Sequence, residues 1–210
     1  MSKDIYEASM ELLEDSLGLP EYKDIILDLE KKFLETHITI SDIDSTRDNL
    51  YNYYYEKTLS TNIENGSQNI LDLIFQNGNL DKDSYNFLSN SSLSIYMVKK
   101  IKRKEFIVYD IFSKNVKIAL PLTDEWIAIE KGDLIQTFLY YGDIVPYFST
   151  SGFIHPKEVQ KFILKEVKEI KKNKLDYSYI DIFLAKLFRK FVNSMRYFKK
   201  NPLEIYKIDL

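Results

Sequence analysis

Between residues 94 and 154 the apolar residues leave helical spacing and fall into short β-branched and aromatic runs, and that change of period constrains the fold more than any other feature. The runs are SIYMVKKI from Ser94, EFIVYDIF from Glu105, VKIALP from Val116, EWIAIE from Glu125, DLIQTFLYY from Asp133 and DIVPYF from Asp143. Turn-forming residues separate them: Lys102-Arg103-Lys104, then Ser113-Lys114-Asn115, where Asn115 suits a left-handed conformation, then Lys131-Gly132-Asp133 and Tyr141-Gly142-Asp143. Five or six strands joined this tightly predict an antiparallel β-meander that either curls into a small barrel or lays one face on helices.

On both sides the period is helical. Ser2 caps a first helix with Ile5, Met10, Leu12, Leu13 and Leu17 on its apolar stripe, and Gly18 stops it before Pro20 opens a second. The second carries Tyr22, Ile25, Ile26, Leu29, Phe33 and Leu34 at helical spacing. A third starts near Ser41 or Asp42 and includes the tyrosine cluster at 51–55, a fourth runs from a Ser67 cap to Gly78, and a short fifth covers 81–88. After the strands, Pro156 opens a helix over 156–173 with Val159, Phe162, Ile163, Val167 and Ile170 on one face. The last helix starts at Ser178, buries Ile180, Phe183, Leu184, Leu187, Phe188, Phe191, Val192, Met195 and Phe198, and ends at Pro202. The expected architecture is one α+β unit over 1–210: an acidic helical layer at 1–93, the β-meander at 94–154 and two basic amphipathic helices at 155–210.

The formal charge of −3 conceals a split, with 18 acidic and 7 basic residues up to Ser94 against 14 acidic and 22 basic after it. Such an asymmetry means either a face for a polyanion or two segments that attract each other within one fold. Cysteine is absent, which excludes disulfides, thiolate metal sites and a cysteine nucleophile. No run approaches the roughly 18 uncharged apolar residues that span a bilayer, and the N-terminus lacks a signal-peptide core, so the expectation is a cytoplasmic protein without membrane contact. The abundance of Lys, Ile, Asn and Tyr reads as drift in an AT-rich bacterial genome, which weakens lysine content as a functional signal.

The tyrosine helix at 51–55, the leucine-rich helix at 70–75, the strand at 94–98, the Asp-containing hairpin at 110–115, the Gly-Asp turn at 131–135 and the His-Pro at 153–156 recur in one order. In that order the chain resembles, over residues 50–160, a group of uncharacterised bacterial proteins built from a helical N-terminal segment and a small β-rich module. The chain departs from that pattern at the hairpin, where a Thr-Gly turn is expected and Ser113-Lys114-Asn115 stands. The resemblance implies architecture and carries no activity.

Candidate residues divide between chemistry and binding. His37 sits at a helix end, where a cation complements the dipole, and His155 precedes Pro156 at a strand-to-helix junction, where its side chain is expected to bond backbone. A catalytic role for His155 is the competing reading. Phosphate-cradling glycine motifs are missing, and Asp42 with Asp44 and Asp81 with Asp83 read as helix caps rather than a calcium loop. No catalytic, cofactor or metal residue is assigned, and no cofactor is expected. The tract of Lys99, Lys100, Lys102, Arg103 and Lys104 combines cations with aromatic neighbours, as a phosphate-gripping hairpin would, although exposed hairpin lysines also serve simply as solvating residues. Lys161, Lys165, Lys168 and Lys172 on one helix, with Arg189 and Lys190 on the next, extend the basic set. Tyr51, Tyr53, Tyr54 and Tyr55 are either core or interface anchors. The function expected from these features is a non-enzymatic interaction protein that binds a macromolecular partner, a protein first. The alternative is a weak, sequence-insensitive RNA- or DNA-binding module using the basic hairpin and the C-terminal helices.

Overall fold

The structure, a computed structural model, describes residues 2–25, 27–28, 53, 56–57, 68–103, 105–121, 128–142, 145–149, 151–174 and 176–207. The predicted change of period appears as strands β1 (Ser91–Lys102), β2 (Glu105–Asp110), β3 (Val116–Pro121), β4 (Leu134–Tyr141), β5 (Pro146–Phe148) and β6 (Phe153–Ile154). Their order is β1-β2-β3-β5-β4-β6, and β1 also pairs with β4, so the first five strands close into a small barrel. The barrel is mixed, because β3 and β5 run parallel while the other pairs are antiparallel. Closure leaves the sheet fewer open edges and encloses Tyr96, Val98, Phe106, Val108, Ala119, Ile135, Leu139 and Phe148 as an interior.

β4 organises the molecule. Strand periodicity sends Ile135 and Leu139 into the barrel while Leu134, Gln136, Phe138 and Tyr140 face outward, and all of them are buried. The outward side is covered by two helical layers. One consists of α1 (Ser2–Leu17), a helical segment at 20–25, α2 (Ile70–Gln76) and α3 (Lys82–Ser89), and its Tyr6, Ile70, Ile74 and Phe87 share a core with Phe138 and Tyr140. The other is α4 (Lys157–Lys172), α5 (Tyr177–Arg196) and α6 (Pro202–Lys207), whose Val159, Ile163, Val167, Leu184, Leu187 and Tyr206 pack on Ile95 and Leu134.

Local signals differ from the sequence reading at several points. The cap of α2 is Asn69, which exchanges bonds with Asp72 in a capping box, and Ser67 lies outside the described residues. Asp81 caps α3 as expected, while Asp176 rather than Ser178 caps α5. Pro202 does not merely end a helix: it opens α6, where a proline fits the first turn, and α6 delivers Ile205 and Tyr206 to the core. Phe198 lies beyond α5 and is 79% exposed, so it leaves the predicted apolar face. The EWIAIE run contributes no strand at 128–130, yet Ile129 fills the barrel. Asn115 does not take the left-handed position; Lys114 does, at φ 63°. Gly132, at φ 98°, fits the turn where Asp133 Oδ2 accepts the Glu130 amide at 2.7 Å. Of the third predicted helix, residues 53, 56 and 57 are described and are helical, while its start at 41–42, together with His37, Tyr51, Tyr54 and Tyr55, lies outside the described residues.

The last long helix is part of the core. Phe188 is 1% exposed and stacks on Tyr53 with ring centroids 4.4 Å apart, and Phe191 stacks on Phe153 at 4.3 Å. Truncating Phe188 to Ala removes a filled volume that the barrel wall cannot collapse into, and is expected to cost roughly 3 to 5 kcal/mol. Urea unfolding of Phe188→Ala checks this, and an unchanged midpoint would refute it.

Candidate functional site

The β2–β3 turn is built by one carboxylate. Asp110 Oδ1 accepts from Ser94 Oγ at 2.8 Å, the Phe112 amide at 2.9 Å and the Ser113 amide at 3.2 Å, and the Lys114 amide bonds Asp110 O at 3.0 Å. These bonds hold Lys114 in its left-handed conformation, which costs about 1 kcal/mol relative to glycine. Lysine therefore stands in this turn at a conformational cost. Its side chain lines a groove.

That groove, of about 420 Å³, runs between the β2–β3 turn and α4, with Tyr109, Ile111, Leu164 and Val167 as its apolar wall and Lys114, Lys168, Lys171 and Lys172 as its cations. The spacing of Leu164, Lys168 and Lys171 puts all three on one side of α4. Lys171 Nζ donates to Ile111 O at 2.6 Å and so ties the helix to the turn. Its pKa is lowered, first by partial burial and then by the charge of Lys114, with Asp110 opposing. Lys99 Nζ sits 4.9 Å from the centre of the Tyr109 ring. Lys172 meets Glu169 at 4.0 Å, an exposed pair that contributes little. Among the described residues, Lys114, Lys168 and Lys171 form no ion pair, and no carboxylate lines the groove. Its crowded positive charges favour an anion.

The structure places the predicted basic residues in separate locations. Lys168 and Lys172 reach the groove, while Lys161 and Lys165 are exposed on earlier turns of α4. Lys100, Lys102 and Arg103 are exposed at the β1–β2 turn, at the other end of β2 and about 20 Å away along that strand. Lys104 lies outside the described residues. Arg189 and Lys190 line a second recess of about 320 Å³ with Asn193, Tyr197, Lys200 and Glu204, and Lys190 is buried there. The cations of the basic hairpin and those of the C-terminal helices thus do not form one continuous charged patch, because the outer face of β2 lies between them. Lys114, Lys171 and Tyr109 were missed by sequence reasoning. Lys171 was legible from its i,i+3 spacing to Lys168, whereas the approach of Lys114 to α4 has no local signal.

Two buried titratable groups lie elsewhere. His155 is buried; its Nδ1 pairs with Tyr206 Oη at 3.0 Å, and its own backbone amide bonds Leu134 O at 2.9 Å. The expected side-chain bond to backbone is therefore replaced by a side-chain partner from α6. Burial pushes the His155 pKa down to about 3, so the ring is neutral at ordinary pH. Tyr53 is 1% exposed and donates no interface anchor: its hydroxyl accepts from Gln136 Nε2 at 2.7 Å. Glu56 is buried beside it, accepting from Tyr6 Oη at 3.2 Å and from Ser149 Oγ. Burial raises its pKa to about 7 against the lowering effect of hydrogen bonds led by Ser149. Among the described residues no acidic or histidine cluster is arranged to hold a metal ion. No protein-family model, no curated protein and no solved structure matches this chain.

Two predictions follow from this geometry. Lys114→Gly relieves the left-handed strain and is expected to raise stability by up to about 1 kcal/mol in urea unfolding while removing a groove cation; a loss of stability would contradict the reading of the turn. Glu56 has a raised folded pKa, so its contribution to stability is complete below about 4.5 and is lost as pH rises through about 7. Relative to wild type, Glu56→Gln should therefore gain roughly 3 kcal/mol between pH 4.5 and about pH 8, and a pH-independent difference would refute the assignment.

Proposed function

We propose that the protein is a non-enzymatic interaction protein that holds an anionic macromolecular partner in the groove between the β2–β3 turn and α4. The observation that carries this reading is the convergence of four lysines from two elements on a groove whose described lining contains no carboxylate. One of the four, Lys114, is held in the left-handed conformation, which Arg103 and Lys174 also adopt, and the bonds of its turn to Asp110 fix its place beside the groove. The apolar floor supplies burial, and the cations supply orientation and salt-dependent attraction. Binding rather than turnover is supported by the chemistry of the lining, which holds lysines, aliphatic side chains and one tyrosine. His155, the one residue with a competing catalytic reading, is fully buried against Tyr206.

A second reading, weak RNA or DNA binding insensitive to sequence, draws on the same lysines and on Lys100, Lys102 and Arg103, which are exposed at the β1–β2 turn. The two readings separate in a pull-down with and without nuclease, using wild type, Lys168→Glu/Lys172→Glu and Lys100→Glu/Lys102→Glu. The expected result is a partner that survives nuclease, is released as salt is raised, and is lost with the groove variant but no more than weakened by the hairpin variant. A partner retained undiminished by the groove variant would overturn the proposal. A signal that vanishes with nuclease would transfer it to nucleic acid.

A further inference from the structure

We infer that the groove, read as above, is one end of a longer docking surface along the outer face of β2 and β3, and that its occupant is an acidic polypeptide segment carrying apolar side chains. Strand alternation puts Phe106, Val108 and Ala119 inside the barrel, which leaves Ile107, Tyr109, Val116 and Ile118 on the outer face. They form two cross-strand pairs, Tyr109 with Val116 and Ile107 with Ile118. Val116 is 64% exposed and Ile118 47%, so the helical layers leave this face uncovered. β-Branched side chains held bare and adjacent on two paired strands invite association with another chain.

Tyr109 belongs both to this face and to the wall of the groove, which makes the two continuous. Beyond Ile107 the face reaches Lys100, its partner on β1, and then Lys102 opposite Glu105. The surface is therefore apolar in the middle, with the groove lysines at one end and Lys100 and Lys102, beside Glu105, at the other.

Charge complementarity calls for carboxylates flanking an apolar centre. The apolar part distinguishes a polypeptide from a nucleic acid. Bases bind single-strand surfaces by stacking on aromatic faces, whereas the most exposed side chains here are aliphatic and Lys99 already sits over the Tyr109 ring. The Ile107–Ile118 pair and Val116, flanked by lysines, instead match Leu, Val or Phe side chains set between Asp and Glu.

The test is fluorescence anisotropy on the full chain with three labelled probes: a peptide of alternating Glu and Leu, the same peptide with Ser for Leu, and a single-stranded oligonucleotide of equal charge. The variants are Val116→Thr/Ile118→Thr, which keeps β-branching on an exposed face, and Lys168→Glu/Lys172→Glu, each checked for native circular dichroism. The Glu-Leu peptide is expected to bind at least about tenfold more tightly than the Glu-Ser peptide, and the threonine variant is expected to erase that preference while leaving Glu-Ser binding unchanged. Equal affinity for the two peptides, a preference that survives the threonine variant, or tighter binding of the oligonucleotide would overturn this inference. If the groove variant still weakens the acidic probes in those cases, the groove reading stands and only the choice of occupant falls. If the groove variant leaves every probe unaffected, the groove reading falls as well.

Discussion

Burial of β4 on both faces is the constraint on which the rest depends. Leu134 to Tyr140 are all buried, and the strand pairs with β1 along one edge and with β5 and β6 along the other. One side of β4 completes the barrel interior and the other is the floor of both helical cores. Barrel closure and helix docking are consequently coupled: a one-residue slip of β4 would turn Gln136 and Tyr140 into the barrel and Ile135 and Leu139 toward the helices, disrupting both cores.

A strand buried on both sides leaves little room for polar groups, yet several occur at the interface between barrel and helices. Gln136 donates to Tyr53 Oη at 2.7 Å and to Leu184 O at 2.9 Å, which links β4 to α5. His155 links the barrel exit to α6 through Tyr206. Glu56 gathers Tyr6 and Ser149, joining α1 to the segment that follows β5. Such bonds add little net stability, since water is given up to form them. Their effect is on geometry, because a shifted helix would leave each of these groups buried without a partner. The apolar clusters provide the driving force, and the polar contacts select one docking arrangement.

The same docking arrangement creates the groove. α4 packs Val159, Ile163, Val167 and Ile170 inward, so Lys168 and Lys172 are left on its free side, and the Lys171 bond to Ile111 O draws that side against the β2–β3 turn. Lys114 then approaches from the turn, held there by the bonds to Asp110. Positive charges are thus concentrated by apolar packing that they do not themselves favour. The lowered pKa of Lys171 reflects both the burial and the neighbouring cation.

The sequence by itself determined the helix-to-strand change of period, the positions of most elements, the turn at Gly132 and the inward faces of α4 and α5. These are local properties, set by side-chain alternation and spacing within one element. Sequence periodicity also placed Lys168 and Lys172 together on one helix face. Closure of the barrel, the parallel pairing of β3 with β5, the role of Pro202 as the start of α6 and the burial of Tyr53, Glu56 and His155 were decided only by tertiary structure. The site divides in the same way. That the chain is basic after residue 94 is plain from its residues, but the separation of the β1–β2 turn from the groove depends on the length of β2 and on where α4 docks. Lys114 and Lys168 are brought together by burial of apolar residues distant in sequence, and the charges themselves carry no record of that packing.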